Sequence, residues 1–255
     1  MSDRKVAIVT GSGRRRIGNA VALALAAKGY ALVVHFHKSA NEANETVKQI
    51  RLLGTEAVSV QADLTMEAEV DRLIQQTVDQ LGRIDVLVNA AAVWIPKPLE
   101  QVSTIDVLHH FNVNALGTFL CSQRVGLKMV TQTGGGSIIT IGDWATERPY
   151  LNYSAYLPSK GAITAMTRSL AVELGSRNRN IRVNCILPGP VMLPADMSPT
   201  ERASVINSTL VKREGSPDHI AHAVLFLVEN DFVTGVCLPV DGGRTIYAGD
   251  DVCRG

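Results

Sequence analysis

The chain has 255 residues, of which 46% are apolar, and its 25 basic and 24 acidic side chains leave a formal net charge of +1. That length fits one large α/β domain or two small ones. The balanced charge, with no basic or acidic tail, argues against nucleic acid or an anionic membrane as a partner. No apolar run has the length of a membrane span, and the first residues lack a signal-peptide pattern. We therefore expect a cytoplasmic protein.

The cysteines are far apart in the sequence and include no CxxC pair. They are Cys121, Cys185, Cys237 and Cys253. Buried reduced thiols are a better interpretation of this spacing than metal ligands or disulfides. The sequence therefore predicts no metal site.

Short apolar runs alternate with longer stretches of helical period along the chain. Strands are predicted at 5–11, 31–37, 56–63, 84–90, 136–142, 181–188 and 235–241. Helices are predicted at 19–30, 40–54, 66–82, 104–131, 154–174 and 217–229. Strands that are apolar at nearly every position are buried on both faces, as in parallel sheets. This alternation predicts an α/β fold, a doubly wound parallel sheet of about seven strands with helices on both faces.

Residues 189–216 are predicted to be irregular, because they are rich in Pro, Met and Ser and show no clear period. Irregular stretches of this length are often lids over a binding site. We therefore expect a substrate lid at 189–216.

A glycine-rich turn, TGSGRRRIG at residues 10–18, follows the first strand and opens the first helix. In doubly wound folds a dinucleotide binds here, because glycines let the backbone approach the pyrophosphate and the helix N-terminus attracts its charge. Gly11, Gly13 and Gly18 do not have plain GxGxxG spacing, so the position of the turn carries the argument. A tight turn without a ligand is the alternative.

The end of the second strand indicates which nicotinamide cofactor binds. An NAD site usually carries an acidic residue here to bond the ribose 2′-hydroxyl, but residues 35–39 read HFHKS. Lysine, serine and guanidinium groups suit a 2′-phosphate instead. The sequence therefore predicts NADP(H) as the cofactor. The alternative is that the arginines are a solvated run on the surface and bind no cofactor. The residues concerned are Arg14, Arg15, Arg16, His37, Lys38 and Ser39.

Seven motifs in order make the sequence resemble the short-chain dehydrogenase/reductase family over almost its whole length. They are TGSGRRRIG (10–18), AD (62–63), VNAAA (88–92), NVNALGTF (112–119), YLPSK (156–160), RVNCILPGPV (182–191) and TGVCLPVDGG (234–243). The resemblance implies one Rossmann-fold domain over residues 1–255, a nicotinamide cofactor and a homotetramer. It also implies that His109 and His110 lie on a helix at a subunit interface or on the surface.

The resemblance further implies the catalytic residues. Tyr156 is the expected proton donor or acceptor, Lys160 is expected to bind ribose and lower the pKa of the tyrosine, and Asn114 is expected to anchor a proton-relay water. An ammonium one helical turn from a phenol favours the phenolate, so the pairing is also physically reasonable by itself. An ordinary surface pair is the alternative. The expected cofactor contacts are Gly11, Gly13, Arg14, Arg15, Arg16, Ile17, Gly18, His37, Lys38, Ser39, Asp63, Leu64, Asn89, Ala90, Tyr156, Lys160, Pro188, Gly189 and Val191.

Asp143 is the clearest departure from the family pattern, because most members have serine at that position, thirteen residues before Tyr156. Arg16 also occupies the glycine loop, and the usual NNAG reads NAAA at 89–92. These features, with an aromatic residue such as Trp94 past the fourth strand, resemble the pteridine reductase branch of the family.

The substituted carboxylate has a chemical interpretation. A serine hydroxyl suits a ketone oxygen, whereas an imine carbon–nitrogen bond in a pterin ring needs a proton on nitrogen. Asp143 is expected to supply it directly or through Tyr156. Trp94 is expected to stack on a flat heterocycle, and Arg16 to bond a ring carbonyl or a cofactor phosphate. The alternatives are a helix cap or a salt bridge to Arg148 for Asp143, and a loop anchor or subunit contact for Trp94.

The sequence as a whole predicts an NADPH-dependent reductase of a pterin-type substrate, which Arg16, Trp94, Asp143 and Tyr156 contact. A reductase of 3-oxoacyl-[acyl-carrier-protein] or of another ketone is the alternative. A non-catalytic NADP(H) sensor or scaffold is the alternative from a different class.

Overall fold

A computed structural model describes residues 4–248, so Cys253 lies outside the described residues. Its strands are β1 (Val6–Thr10), β2 (Ala31–Phe36), β3 (Ala57–Gln61), β4 (Val86–Asn89), β5 (Gly136–Ile141), β6 (Ile181–Pro188) and β7 (Cys237–Val240). They form one sheet in the order β3-β2-β1-β4-β5-β6-β7, and every adjacent pair is parallel. The predicted doubly wound sheet of seven strands is confirmed.

Helices cover both faces of this sheet. The α-helices are α1 (Ile17–Ala27), α2 (Ala40–Leu52), α3 (Glu67–Leu81), α4 (Thr104–His110), α5 (Gly117–Val130), α6 (Tyr156–Gly175), α7 (Pro199–Asn207) and α8 (Pro217–Glu229). Short 3-10 helices occupy Leu99–Gln101 and Trp144–Thr146. Successive strand residues point to opposite faces, so Ala7 and Val9 pack with α1, α2 and α8, whereas Ile8 packs with α3, α5 and α6.

The crevice of the fold lies where the strand order reverses, between β1 and β4. In open α/β sheets ligands bind outside the carboxyl ends of the strands at such a point. Here the Thr10 hydroxyl oxygen accepts hydrogen bonds from the backbone N–H groups of Ala90 and Ala91, at 3.0 and 3.1 Å. These bonds fix the two strand ends that border the crevice.

Two predicted elements differ from the structure. The helix predicted at 104–131 contains a π-helical segment, Phe111–Leu116, between α4 and α5. The prediction that 189–216 is irregular is wrong for Pro199–Asn207, where α7 lies. Ser198 and Glu201 form a capping box at the start of α7, and Pro199 is the first helical residue. The sequence SPTE carries this N-terminal signature.

Candidate active site

Three of the expected catalytic residues meet between the end of β5 and the start of α6. The Tyr156 hydroxyl donates a hydrogen bond of 2.6 Å to Oδ2 of Asp143. The Lys160 ammonium lies one helical turn further along α6 and donates to the carbonyl of Ile141 at 2.8 Å. Tyr156 and Lys160 are each only 4% exposed. The structure therefore brings a phenol, a carboxylate and a buried cation together.

Asp143 also caps the short helix Trp144–Thr146. Its Oδ1 accepts from the backbone N–H of Ala145 at 2.9 Å, so one oxygen caps the helix and the other bonds Tyr156. Arg148 donates instead to the carbonyls of Arg244 and Tyr247. Of the two structural alternatives for Asp143, the cap is present and the salt bridge to Arg148 is not formed.

The surroundings of Tyr156 oppose its ionisation. Burial raises the pKa of Tyr156, and the carboxylate of Asp143 raises it further. The net direction is therefore opposite to the one expected from Lys160, whose own effect on the pKa of the tyrosine stays a prediction. Burial in turn lowers the pKa of Lys160, with Asp143 acting in the opposite direction. At neutral pH the site holds a protonated phenol, which makes it a proton donor.

Lys160 has donors left for a ligand. An ammonium group carries three N–H donors, and within residues 4–248 the Lys160 ammonium has a single hydrogen-bond acceptor, the Ile141 carbonyl. A buried charge without full hydrogen bonding is costly. A polar group bound in the crevice would satisfy it, which fits the hydroxyls of a cofactor ribose.

Asn114 is fully buried in the π-helical segment. Its Oδ1 accepts from the backbone N–H of Val93 at 2.8 Å, and its Nδ2 donates to the Val93 carbonyl and to the Ser159 hydroxyl, both at 3.0 Å. Asn114 thus joins the loop after β4 to the helix that carries Tyr156. Local π-helical turns are frequent at functional sites.

The glycine turn after β1 packs closely against neighbouring backbone. Gly11 has a φ of +64°, and a Cβ there would lie 2.8 Å from Cα of Ala91. A Cβ on Gly18 would lie 2.8 Å from the Gly11 carbonyl oxygen, and one on Gly13 would lie 3.0 Å from Oγ of Ser39. Side chains at these positions would push the turn away from β2 and β4. The glycines therefore let the turn pack tightly between the ends of β2 and β4.

Cationic side chains surround this turn, in the places the sequence predicts. Arg14 forms an exposed ion pair with Glu42 at 3.6 Å. Within the described part of the chain, the structure shows no ion pair for Arg15, Arg16 or Lys38, all of which are exposed. These charges are available to an anion such as a phosphate.

The remaining expected cofactor residues lie along the same edge of the sheet. His37 follows β2, and its imidazole lies 3.8 Å from the carboxylate of Asp63. Asn89 ends β4, and its Oδ1 is buried without a hydrogen-bond partner. Gly189 follows β6, where a Cβ would lie 2.4 Å from Cα of Asp241. The others at this edge are Ile17, Leu64, Ala90, Pro188 and Val191.

His35 is a structural residue of this edge to which sequence reasoning gave no role. It is 2% exposed, its Nδ1 accepts from the backbone N–H of Gly11 at 3.1 Å, and its Nε2 lies 3.0 Å from the Ala62 carbonyl. The two bonds require a neutral ring with the proton on Nε2. His35 therefore ties the glycine turn to β2 and β3. A polar residue inside an otherwise apolar buried strand was the available signal.

His35 should make stability depend on pH. Burial lowers the pKa of His35 from 6.5 to about 4. Between these values the unfolded chain binds a proton that the folded chain does not. The free energy of unfolding should fall by up to about 3 kcal/mol as the pH drops from 6.5 to 4, and this loss should be absent above 6.5. Urea denaturation at pH 7.5 and pH 5 measures it, with His35→Gln as the control. Equal losses in both proteins would show that another group titrates.

The expectation that His110 lies at a subunit interface or on the surface is wrong. It is 3% exposed, and its ring contacts Tyr156 edge-on, with 6.0 Å between centroids. Nδ1 bonds the Asp106 carbonyl at 2.8 Å, while Nε2 is buried without a partner. His109 is exposed. The Nε2 atom of His110 can therefore accept a hydrogen bond from a donor beside Tyr156.

An aromatic cluster extends from Tyr156 to the surface. Tyr153 lies edge-on to Tyr156, with 6.0 Å between centroids, and stacks on Trp94 at 5.0 Å and 13°. Trp94 is 44% exposed, and its indole N–H reaches the Tyr150 hydroxyl at 3.4 Å. Burial, with a contribution from Asp143, raises the pKa of Tyr150 to about 12. Trp94 therefore lies on the same side of the molecule as the proposed reacting groups.

A family model described as "Enoyl-(Acyl carrier protein) reductase" matches residues 12–245. The 7alpha-hydroxysteroid dehydrogenase of Escherichia coli is 35% identical over 246 residues, which is 94% of each chain. The chain belongs to the short-chain dehydrogenase/reductase family. The 3-oxoacyl-[acyl-carrier-protein] reductase of Synechocystis sp. is 34% identical over 95% of this chain and 98% of its own.

Solved structures of short-chain dehydrogenases/reductases share this fold. A 7 alpha-hydroxysteroid dehydrogenase complexed with NADH and 7-oxo glycochenodeoxycholic acid superposes with a TM-score of 0.87. It is 36% identical and the match covers 94% of this chain and 93% of that one. The family membership makes the protein an oxidoreductase and sets aside a non-catalytic sensor. None of its helices in residues 4–248 is long and apolar enough to cross a bilayer.

Proposed function

We propose that this short-chain dehydrogenase/reductase reduces a pterin-type substrate, a pteridine or dihydropteridine, with NADPH. The observation that carries the proposal is the 2.6 Å hydrogen bond from Tyr156 to Asp143. In this bond a carboxylate stands where a ketone-reducing site is expected to have a serine hydroxyl. Tyr156 and Asp143 are the proton-donating pair, Lys160 and Asn114 support them, and Arg16 and Trp94 contact the substrate.

The electrostatics of the pair favour a substrate that is itself a base. Burial and the Asp143 carboxylate both oppose the phenolate and so hold the pKa of Tyr156 above its usual value. An imine nitrogen is more basic than a ketone oxygen and accepts a proton more readily. Oxidation of an alcohol would need the phenolate as a base, and that form is disfavoured here. The pair therefore supports reduction of a carbon–nitrogen double bond.

The aromatic cluster supports a flat substrate. Trp94 and Tyr153 already stack on each other, and Tyr153 contacts the ring of Tyr156. An aromatic heterocycle can stack on the partly exposed faces with similar geometry, gaining roughly 0.5–1.5 kcal/mol beyond the burial of its area. A ring bound on this cluster would lie near the proton donor.

The residues of the sheet edge suit NADP(H). A bound nicotinamide supplies the hydride. The turn at 10–18 would hold the pyrophosphate, and the ribose would take the free donors of Lys160. Arg15, Arg16 and Lys38 would bind the 2′-phosphate, because they are exposed and form no ion pair within residues 4–248. Asp63 and Asn89 would border the adenine and the nicotinamide side respectively.

The segment 189–216 is proposed as the substrate lid of a single domain formed by residues 1–255. Its helix α7 has no buried residue. An ion pair between Arg202 and Glu214 joins the helix to the end of the segment. The backbone N–H groups of Leu210 and Val211 hold the end of the segment to the Gly242 carbonyl. A helix without buried residues, such as α7, moves at low free-energy cost.

Ketone reduction is the second candidate, because the names of relatives favour it. A hydroxysteroid dehydrogenase and a 3-oxoacyl-[acyl-carrier-protein] reductase are both about one-third identical to this chain. Tyr156 and Lys160 would serve a ketone as well as an imine. The carboxylate at 143 is the feature that ketone chemistry does not require.

A homotetramer in the cytoplasm is also proposed. Exposed apolar side chains lie on α4, α5 and α6 and in the π-helical segment, at Ile105, Leu108, Leu116, Leu127 and Val172. Such surfaces mark protein contacts. The cysteines at 121, 185 and 237 are free thiols, which is typical of a reducing compartment.

The test is the consumption of reduced cofactor by the purified protein. Dihydrobiopterin and dihydrofolate form one set of substrates, and an acetoacetyl thioester and simple diketones form the other. We expect turnover of the pterins with NADPH, and much slower turnover with NADH at the same concentration. The matched cofactor control is Lys38→Asp, which reverses a charge at the proposed 2′-phosphate site, far from the reacting atoms. It should lower the ratio of the rates with NADPH and with NADH.

The outcomes separate the parts of the proposal. Turnover of ketones alone would contradict the pterin assignment and leave the family chemistry intact. Equal rates with NADPH and NADH would contradict the 2′-phosphate site. A Lys38→Asp protein with an unchanged cofactor preference would place the phosphate elsewhere.

A further inference from the structure

Two cysteines that the proposed reaction does not use face each other across the end of the sheet. Cys185 of β6 and Cys237 of β7 are directly opposite in the parallel register. Neighbouring strands lie about 4.8 Å apart, within the Cα separations of about 4.4–6.8 Å that disulfides span. Both side chains pack with Ile163 of α6, so both thiols lie on the same face of the sheet.

The two thiols differ in reactivity. The neighbouring Cys185 thiol lowers the pKa of Cys237, and Arg168 lowers it further against the effect of burial. The neighbouring Cys237 thiol and burial raise the pKa of Cys185. Cys185 is fully buried, whereas Cys237 is partly exposed. Since the thiolate is the reactive form, Cys237 is the thiol that an oxidant meets first, with a second thiol beside it.

The pair lies directly behind the proposed reacting groups. A Cβ on Gly142, the residue before Asp143, would be only 3.0 Å from Sγ of Cys185. Lys160 donates to the carbonyl of Ile141, the residue on the other side of Gly142. A covalent change at this pair therefore occurs next to the carboxylate and the lysine.

We propose that Cys185 and Cys237 are a redox-active dithiol, which a peroxide converts into a disulfide between β6 and β7. The Cys237 thiolate attacks one oxygen of hydrogen peroxide, the O–O bond breaks, and the leaving hydroxide takes up a proton as water. Cys237 is then a sulfenic acid. The Cys185 sulfur attacks the sulfenic sulfur, its proton leaves with the hydroxyl group as a second water, and the S–S bond forms. Two thiols are oxidised, one peroxide is reduced, and a thiol reductant reverses the change.

The test uses the full-length protein with Cys253→Ser, which removes the thiol that lies outside the described residues. The reduced protein is treated with hydrogen peroxide, alkylated, digested with trypsin and analysed by mass spectrometry. We expect residues 183–202 and 214–244 to appear as one linked peptide. The intact protein should lose about 2 Da, the mass of two hydrogens, and dithiothreitol should reverse both changes. Cys121 is the internal control, because it is 1% exposed and burial raises its pKa to about 12.

A second variant tests the order of events. With Cys185→Ser added, oxidation should stop at the sulfenic acid, and dimedone should label Cys237. The proposal is overturned if the two peptides remain unlinked after peroxide, whether Cys237 stays a thiol or becomes a sulfinic acid. It is also overturned if dimedone labels Cys121 and not Cys237. Neither result bears on the substrate proposed above, which is tested by cofactor consumption in reduced protein.

Discussion

Replacement of Tyr156 by phenylalanine is expected to lower kcat for the reduction at least about 10²-fold, the effect of removing a positioned general acid. The hydroxyl is the only part of the side chain that is lost. The phenylalanine ring keeps the edge contacts with His110 and Tyr153, so the surrounding aromatic packing is retained. Steady-state assays with saturating NADPH measure the loss in kcat, and urea denaturation checks that the variant is folded.

The matched control for this variant is Tyr153→Phe. It removes a hydroxyl from the same aromatic cluster, 6.0 Å from the ring of Tyr156 between centroids, but no hydrogen bond of that hydroxyl to Asp143 is found in the structure. Its kcat is expected to change less than about threefold, since it removes no general acid. Comparable losses in the two variants would assign the effect to the aromatic packing and contradict a proton-donating Tyr156.

The architecture was predictable because buried parallel strands are apolar at almost every position. β1 and β2 show this clearly, since each has one polar residue and Val6–Thr10 and Ala31–Phe36 lie within the predicted bounds. The strands β4 and β7 are shorter than predicted, because the geometry of the adjoining turns, and not the apolar run, decides where the hydrogen bonds between strands end. The α7 helix was missed although SPTE is a capping sequence, because its face carries no apolar period and none of its residues is buried.

The candidate site was predictable as a set of residues but not as a set of interactions. The spacing of Tyr156 and Lys160 on one helix is local, so their proximity followed from the sequence. The direction in which the pKa of Tyr156 moves did not follow, because it depends on burial and on which oxygen of Asp143 faces the phenol. His35 was missed for a related reason, since its partners Gly11 and Ala62 are 24 and 27 residues away.

Replacement of Asp143 by serine is expected to shift the substrate preference of the enzyme from the pterin to the ketone. Serine and asparagine both remain good helix caps, so the helix Trp144–Thr146 should persist in Asp143→Ser and in Asp143→Asn. Both variants lose the carboxylate that bonds Tyr156. We expect kcat/KM for the pterin to fall about 10–100-fold with either change, because one member of the proposed proton-donating pair is lost.

The effect on ketones should have the opposite sign in Asp143→Ser. Without the neighbouring carboxylate, the phenolate is no longer repelled, so the pKa of Tyr156 should fall towards the range in which Lys160 stabilises the anion. Ketone reduction should then be retained or increased, and oxidation of a secondary alcohol should appear at alkaline pH. The ratio of kcat/KM for dihydrobiopterin and a diketone measures this exchange.

Glu147→Gln is the control for charge alone, because it removes an exposed carboxylate four residues from Asp143 that makes no contact with Tyr156. Its substrate ratio should match that of the unmodified protein. An unchanged ratio in Asp143→Ser would make Asp143 a structural cap, since its bond to Ala145 would then be its whole role. A ratio that changes equally in Glu147→Gln would assign the effect to the net charge of the loop and not to the hydrogen bond that Asp143 accepts from Tyr156.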